Sequence, residues 1–224
     1  MRRLNVSILV LLSACALAGA AQAADMPLRG SQEPFEVREF ISPWYVRGDV
    51  GYWFSTKSSD SSPSFSNVGA VDFGIGYRGA GWRADVTTTY AFQPHANLNP
   101  LGAPDLRARI NVLATLFNGY LDLGTWYGVT PYVGGGIGFS YLRPIQFASV
   151  SVPPSVASNS GTFDFSWDVT AGFSFPLTRN FLIDSGYRYI HVGSPKTDFV
   201  GIGTLDWGAM NYHEIRTGFR YLID

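Results

Sequence analysis

The sequence predicts an all-β fold: an eight-stranded antiparallel up-and-down transmembrane β-barrel. Three observations predict it. Eight segments alternate apolar with polar side chains, the connections between them alternate long with short, and aromatic residues gather at the strand ends. Alternation alone says only that a strand has two different faces. A soluble sandwich turns its apolar face inward, whereas a membrane barrel turns it outward to lipid.

The strands follow in order. WYVRGDVGYWF (44–54) places Trp44, Val46, Val50, Tyr52 and Phe54 on one face and Arg47 and Asp49 on the other. NVGAVDFGIGY (67–77) sets Val71, Phe73, Ile75 and Tyr77 against Asp72. GWRADVTTTYAF (81–92) sets Trp82, Val86 and Tyr90 against Arg83, Asp85, Thr87 and Thr89. RARINVLATLFNGYLDL (107–123) is less regular. Its first half favours Ile110 and Val112 outward and its second half Phe117 and Leu121, so a β-bulge near Leu113 is expected. PYVGGGIGFSY (131–141) sets Val133, Ile137, Phe139 and Tyr141 against Tyr132 and glycines. These glycines are expected to make room for bulky interior side chains or to permit curvature. The GGGIG stretch lacks the lysine of a phosphate-binding loop and precedes no helix.

TFDFSWDVTAGFSF (162–175) is the cleanest, with Phe163, Phe165, Trp167, Val169, Phe173 and Phe175 opposite Asp164 and Asp168. FLIDSGYRYI (181–190) sets Phe181, Ile183, Tyr187 and Tyr189 against Asp184 and Arg188. HEIRTGFRYLI (213–223) sets Ile215, Thr217, Phe219, Tyr221 and Ile223 against Glu214, Arg216 and Arg220. Segments of about 10 residues cross a bilayer when tilted.

The connections decide the solvent. STKSSDSSPSFS, QPHANLNPLGAPDL, LRPIQFASVSVPPSVASNSG and VGSPKTDFVGIGTLDWGAMN are long. They alternate with shorter ones around RGAG, GTWYGVT and PLTRN. An outer-membrane barrel has this asymmetry and a Greek-key sandwich does not. It implies an outer-membrane location, long extracellular loops and both termini periplasmic. Trp44, Trp82, Trp126 and Tyr221 are expected in a girdle on the periplasmic side, and Phe54, Phe92, Tyr141 and Tyr189 on the external side.

Residues 1–23 read as an export signal. Arg2 and Arg3 precede an apolar run, and AQA ends at Ala23 as a small-x-small cleavage site. Residues 24–43 read as an N-terminal periplasmic tail, and 44–224 as the barrel. LSAC (12–15) offers the alternative of a lipidated Cys15, the only cysteine. A net charge of −1 gives no electrostatic case for nucleic acid. The cations are 14 arginines and 2 lysines, a choice suited to desolvated, multiply hydrogen-bonded pairs.

In this arrangement the interior receives Arg47, Asp49, Asp72, Arg83, Asp85, Asp164, Asp168, Asp184, Arg188, Glu214, Arg216 and Arg220, and the irregular fourth strand adds Arg107, Arg109 and Asp122. An eight-stranded barrel is just wide enough for side chains to fill. Charges packed there must pair, since a buried unpaired charge costs several kcal/mol. Arg188 is expected near Glu214, and Asp184 near Arg216 or Arg220. Such a network would plug the lumen.

Several pieces then resemble a known family in order along the chain: AQAADMPLRG, WYVRGDVGYWF, LFNGYLDLG, TPYVGGGIGFSY, IDSGYRYI and EIRTGFRY. Together they resemble the eight-stranded outer-membrane β-barrel domain proteins, the opacity-type and outer-membrane-protein-A-like barrels, especially the small porin-family proteins of alphaproteobacteria. The resemblance implies insertion by the outer-membrane assembly machinery, read from the last strand, where Ile215, Phe219, Tyr221 and Ile223 supply the alternate apolar positions. The chain departs from the common pattern by ending in Asp224 rather than an aromatic. The family shares no catalytic residues and implies no cofactor.

The leading functional expectation is a non-enzymatic barrel with an envelope-integrity role, embedded among outer-membrane lipids and lipopolysaccharide, with surface contacts through its loops. The alternatives are a small channel, a ligand-binding barrel and a lipid-modifying enzyme. The last would need a serine such as Ser194 aimed at His191 or His213 with Glu214 behind it. Neither a tight metal-ligand spacing nor a catalytic constellation stands out.

Overall fold

A computed structural model describes residues 42–56, 64–98, 106–149, 161–199 and 203–223. The export signal, the alternative at Cys15 and nearly all of the 24–43 tail lie outside the described residues. Among the described residues there are twelve strands: β1 (Trp44–Ser55), β2 (Ser64–Phe65), β3 (Val68–Arg78), β4 (Trp82–Ala91), β5 (His95–Leu98), β6 (Leu106–Asp122), β7 (Thr130–Ser149), β8 (Thr162–Pro176), β9 (Phe181–His191), β10 (Lys196–Phe199), β11 (Gly203–Asp206) and β12 (Asn211–Leu222).

Eight of them close a ring in the order β1, β3, β4, β6, β7, β8, β9, β12 and back to β1, every pairing antiparallel. Closure leaves no edge with unpaired backbone groups, the condition lipid imposes on a spanning sheet. The outer wall is apolar: Phe73, Ile75, Phe117, Ile137, Phe139 and Phe163 are all exposed. A soluble carrier would bury such side chains around a cavity.

Tight turns close one end. Between β6 and β7, Tyr127 and Gly128 both take positive φ, 52° and 80°, and Trp126 and Val129 exchange backbone hydrogen bonds of 2.9 and 3.0 Å. Two left-handed central residues match the twist of the flanking strands, which is why hairpins favour this turn. The opposite end carries the long connections and two additions that alternation did not reveal. Short β5 pairs with the far end of β6, with β2 on its other side, and β10–β11 form a separate hairpin.

The irregular strand differs from expectation. From Ala108 to Tyr120 the even-numbered residues of β6 are buried, so its phase never breaks near Leu113. The register shift lies between Arg109 and Ile110, paired with Gln146 and Pro144, which leaves Ile145 as the extra residue on β7. Pro144 has no N–H to give a ladder, and a bulge is where a strand tolerates it. Ile110 and Val112 therefore point inward, and Arg107 and Arg109 are exposed on the outer wall rather than in the lumen.

Candidate functional site: a barrel interior in two zones

From the tight-turn end upward, the first part of the interior is ionic. Arg220 reaches Asp184 at 3.1 Å and Ser174 Oγ at 2.5 Å, and Ser174 also donates to Asp184. Arg83 pairs with Asp122 at 2.8 Å and approaches Asp184 at 3.7 Å. Its guanidinium lies over the rings of Tyr132 and Tyr120, 4.6 and 5.0 Å from their centroids. That stacking recovers part of what the cation loses in leaving water.

The next level centres on Arg47, which binds both oxygens of Asp49 at 2.9 Å and Asp85 at 3.1 Å and donates to the Tyr120 hydroxyl at 2.9 Å. Asp85 also accepts from Tyr45 and from Asn118, each at 2.9 Å. Above it, Arg188 donates to Glu214 at 2.5 Å and lies 3.1 Å from Asp72 and 3.7 Å from Asp168. Arg216 shares Asp72 at 3.5 Å. Glu214 and Arg188 face each other directly in the β9–β12 register, so facing positions on adjacent strands create this pair. Asp184 lies with Arg220, and Arg216 turns to Asp72 instead.

Eleven of the twelve expected interior charges are buried here. The twelfth, Asp164, is not among them. It sits half-buried at the long-connection end, where it accepts the backbone N–H of Ser194 at 2.8 Å. Its side chain anchors a connection rather than an arginine. Small residues leave the space that the large side chains fill. A Cβ at Gly51 would strike the Glu214 carboxylate, and one at Gly136 would strike the Asn118 amide.

The upper part of the interior is apolar and was not anticipated. Ala70, Ala91, Ile110, Val112, Leu116 and Leu142 are buried there. Trp53 stacks obliquely on Tyr212, ring centroids 4.9 Å apart. The connections complete the zone. Phe65 comes from β2, Ala96 from β5, and Val192, Trp207 and Met210 from the segment joining β9 to β12. Backbone bonds tie the two arms of that segment together: Val192 N to Met210 O at 3.0 Å, Met210 N to Gly193 O at 2.8 Å, and Trp207 N to Pro195 O at 3.0 Å. Ser140 Oγ on β7 donates to Val192 O at 2.5 Å. One sequence signal could have found this zone. In RARINVLATLF, Ala108, Ile110, Val112, Ala114 and Leu116 make one face wholly apolar, whereas the other mixes Arg107, Arg109, Asn111 and Thr115 with Leu113 and Phe117, so the face that packs in the dry interior is the uninterrupted one.

The histidines lie elsewhere. His191 Nδ1 contacts Asn211 Oδ1 at 2.6 Å, and His213 Nδ1 contacts the Tyr187 hydroxyl. The proposed assembly residues Ile215, Phe219 and Tyr221 are exposed on the outer face of β12, and Ile223 follows just beyond the strand.

Known proteins resemble this chain in sequence or in fold. An uncharacterized protein of Brucella abortus (strain 2308) is 28% identical over 90% of this chain and 92% of its own. Among solved structures, Neisserial surface protein A (NspA) superposes with a TM-score of 0.53 at 19% identity, over 81% of this chain and 98% of its own. The outer membrane protein OprG of Pseudomonas aeruginosa gives 0.52 at 15% identity, over 80% and 96%. Residues 8–221 match the family described as outer membrane protein beta-barrel domain, and the chain belongs to that family.

Proposed function

We propose that this protein is a non-enzymatic structural barrel of the outer membrane whose lumen is closed to diffusing solutes. The observation that carries the reading is the filled interior. Paired ions occupy the tight-turn end, and packed apolar side chains occupy the other. A water-filled channel needs a continuous wet path, and the apolar zone lies across it. In this reading the tight turns and both termini are periplasmic, and the long connections face the outside and make surface contacts. Ile215, Phe219, Tyr221 and Ile223 present the outward stripe read by the assembly machinery. The non-enzymatic assignment is supported by the engagement of His191 with Asn211 and of His213 with Tyr187 rather than with a serine.

The test combines two measurements. The mature protein reconstituted in liposomes should release a trapped small solute no faster than empty vesicles. Protease applied to intact cells should cut within 150–160 or 200–202 and spare both ends. Steady solute efflux would replace the closed barrel with a channel, and cutting at the termini would invert the orientation.

A further inference from the structure

The arginines that left the lumen define a separate surface. On the outer wall of β6, the exposed apolar residues Leu121, Phe117 and Leu113 give way to Asn111, Arg109 and Arg107. On β7, exposed Phe139 is followed by half-buried Tyr141 and then by exposed Arg143. Tyr141 packs on Phe163 with ring centroids 5.0 Å apart, which marks the aromatic border of the apolar band. Arg143 lies two residues beyond it, roughly 7 Å further along the strand.

The strand register gathers these side chains. Arg143 faces Asn111, Arg109 faces Gln146 on one side and His95 on the other, and Arg107 faces Asn97. Arg109 Nε donates to His95 Nε2 at 3.1 Å, which steadies its guanidinium on the wall. β5, β6 and β7 carry a single acidic residue, Asp122, at the opposite end of β6.

We propose that Arg107, Arg109 and Arg143 form a site on the outer wall for the phosphate groups of the outer-leaflet glycolipid, lipopolysaccharide. The inference rests on the outward orientation of the long connections proposed above. The site commits to a lipid because it opens sideways, at the level where headgroups begin, and not into the lumen. It commits to phosphate because planar guanidinium groups bind phosphate oxygens in bidentate pairs. His95 and Asn97 border the site.

The experiment uses the mature protein folded in zwitterionic bicelles, titrated with purified lipopolysaccharide, with the same lipopolysaccharide stripped of phosphate, and with phosphatidylglycerol. Heat-modifiable gel mobility reports folding of each variant. A basic side chain at an anionic surface is worth about fivefold in affinity. The Arg107→Gln/Arg109→Gln variant should therefore bind lipopolysaccharide about 25-fold more weakly. Removal of phosphate should weaken binding to the native protein as much. Arg179→Gln, in the turn at the opposite end, should change nothing. If the double variant loses native mobility, Arg107→Gln alone should still show the fivefold loss.

Equal binding by folded variant and native protein overturns the site, as does binding indifferent to phosphate. Preference for phosphatidylglycerol overturns the choice of glycolipid. Failure of the native protein to insert into bilayers overturns the membrane-wall reading itself. Protease cutting at the termini of intact cells instead of within 150–160 overturns the orientation, and the proposal with it.

Discussion

The two halves of the interior solve the same problem in opposite ways. Both must fill the narrow bore of an eight-stranded ring. Near the tight turns, Arg47, Arg83, Arg188, Arg216 and Arg220 fill it with guanidinium groups, each against at least one carboxylate. Near the long connections, Trp53, Ile110, Leu116, Leu142 and Trp207 fill it with packed apolar side chains. The ionic half is made almost wholly of strand residues, and its partners are set by register. The apolar half needs the connections to supply Phe65, Val192, Trp207 and Met210, so it exists only when those segments fold back over the barrel. An ionic interior fails when one partner is removed, whereas an apolar one fails in proportion to the volume lost.

The largest expected effect tests the ionic half. Arg188→Ala leaves Glu214, Asp72 and Asp168 without their shared cation and should destabilise the barrel by about 3–5 kcal/mol, measured by urea unfolding in lipid. The Arg188→Ala/Glu214→Ala double variant should recover part of that loss. Strict additivity would mean the pair is not coupled.

Next comes the apolar half. Leu116→Ala should cost about 3 kcal/mol through the cavity it leaves, and a neighbouring charge should not change that value. A loss under about 1 kcal/mol would mean that this zone is loosely packed. On the outer wall, Val169→Arg should cost about 2–3 kcal/mol and lower the folded yield in bilayers, because a cation there faces acyl chains. Full yield would count against the lipid-facing assignment of β8. The smallest effect sharpens the division. Ile110→Val should cost about 1 kcal/mol, and combined with Arg188→Ala the losses should add within about 0.5 kcal/mol. A larger coupling would show the two zones acting as one.

The ionic half was legible in the sequence because period two leaves little choice. Once the aromatic face of TFDFSWDVTAGFSF is turned outward, Asp168 must point in, and the same logic places Arg188 opposite Glu214. The apolar half was not legible, for two physical reasons. Its strand portion, Ile110 to Leu116, turns its more apolar face inward, with Ile110, Val112, Ala114 and Leu116 opposite Asn111, Leu113 and Thr115, so an outward assignment of the apolar face gives the wrong sign. Its remaining residues come from connections whose spacing follows no strand period. The same inversion puts Arg107 and Arg109 on the outer wall, and Asp164 lies apart from the ionic half because alternation gives the face of a residue but not its height.

The central claim is that ions lie inside the ring and aromatic side chains outside it. Single spin labels placed one at a time along β8, from 163 to 175 in bilayers, test it most directly. The account predicts a period-two pattern, with labels at 165, 167, 169 and 173 accessible to oxygen dissolved in lipid and labels at 166, 168, 170 and 174 shielded. The reverse pattern, with 167 sealed and 168 open to an aqueous relaxing agent, would contradict it.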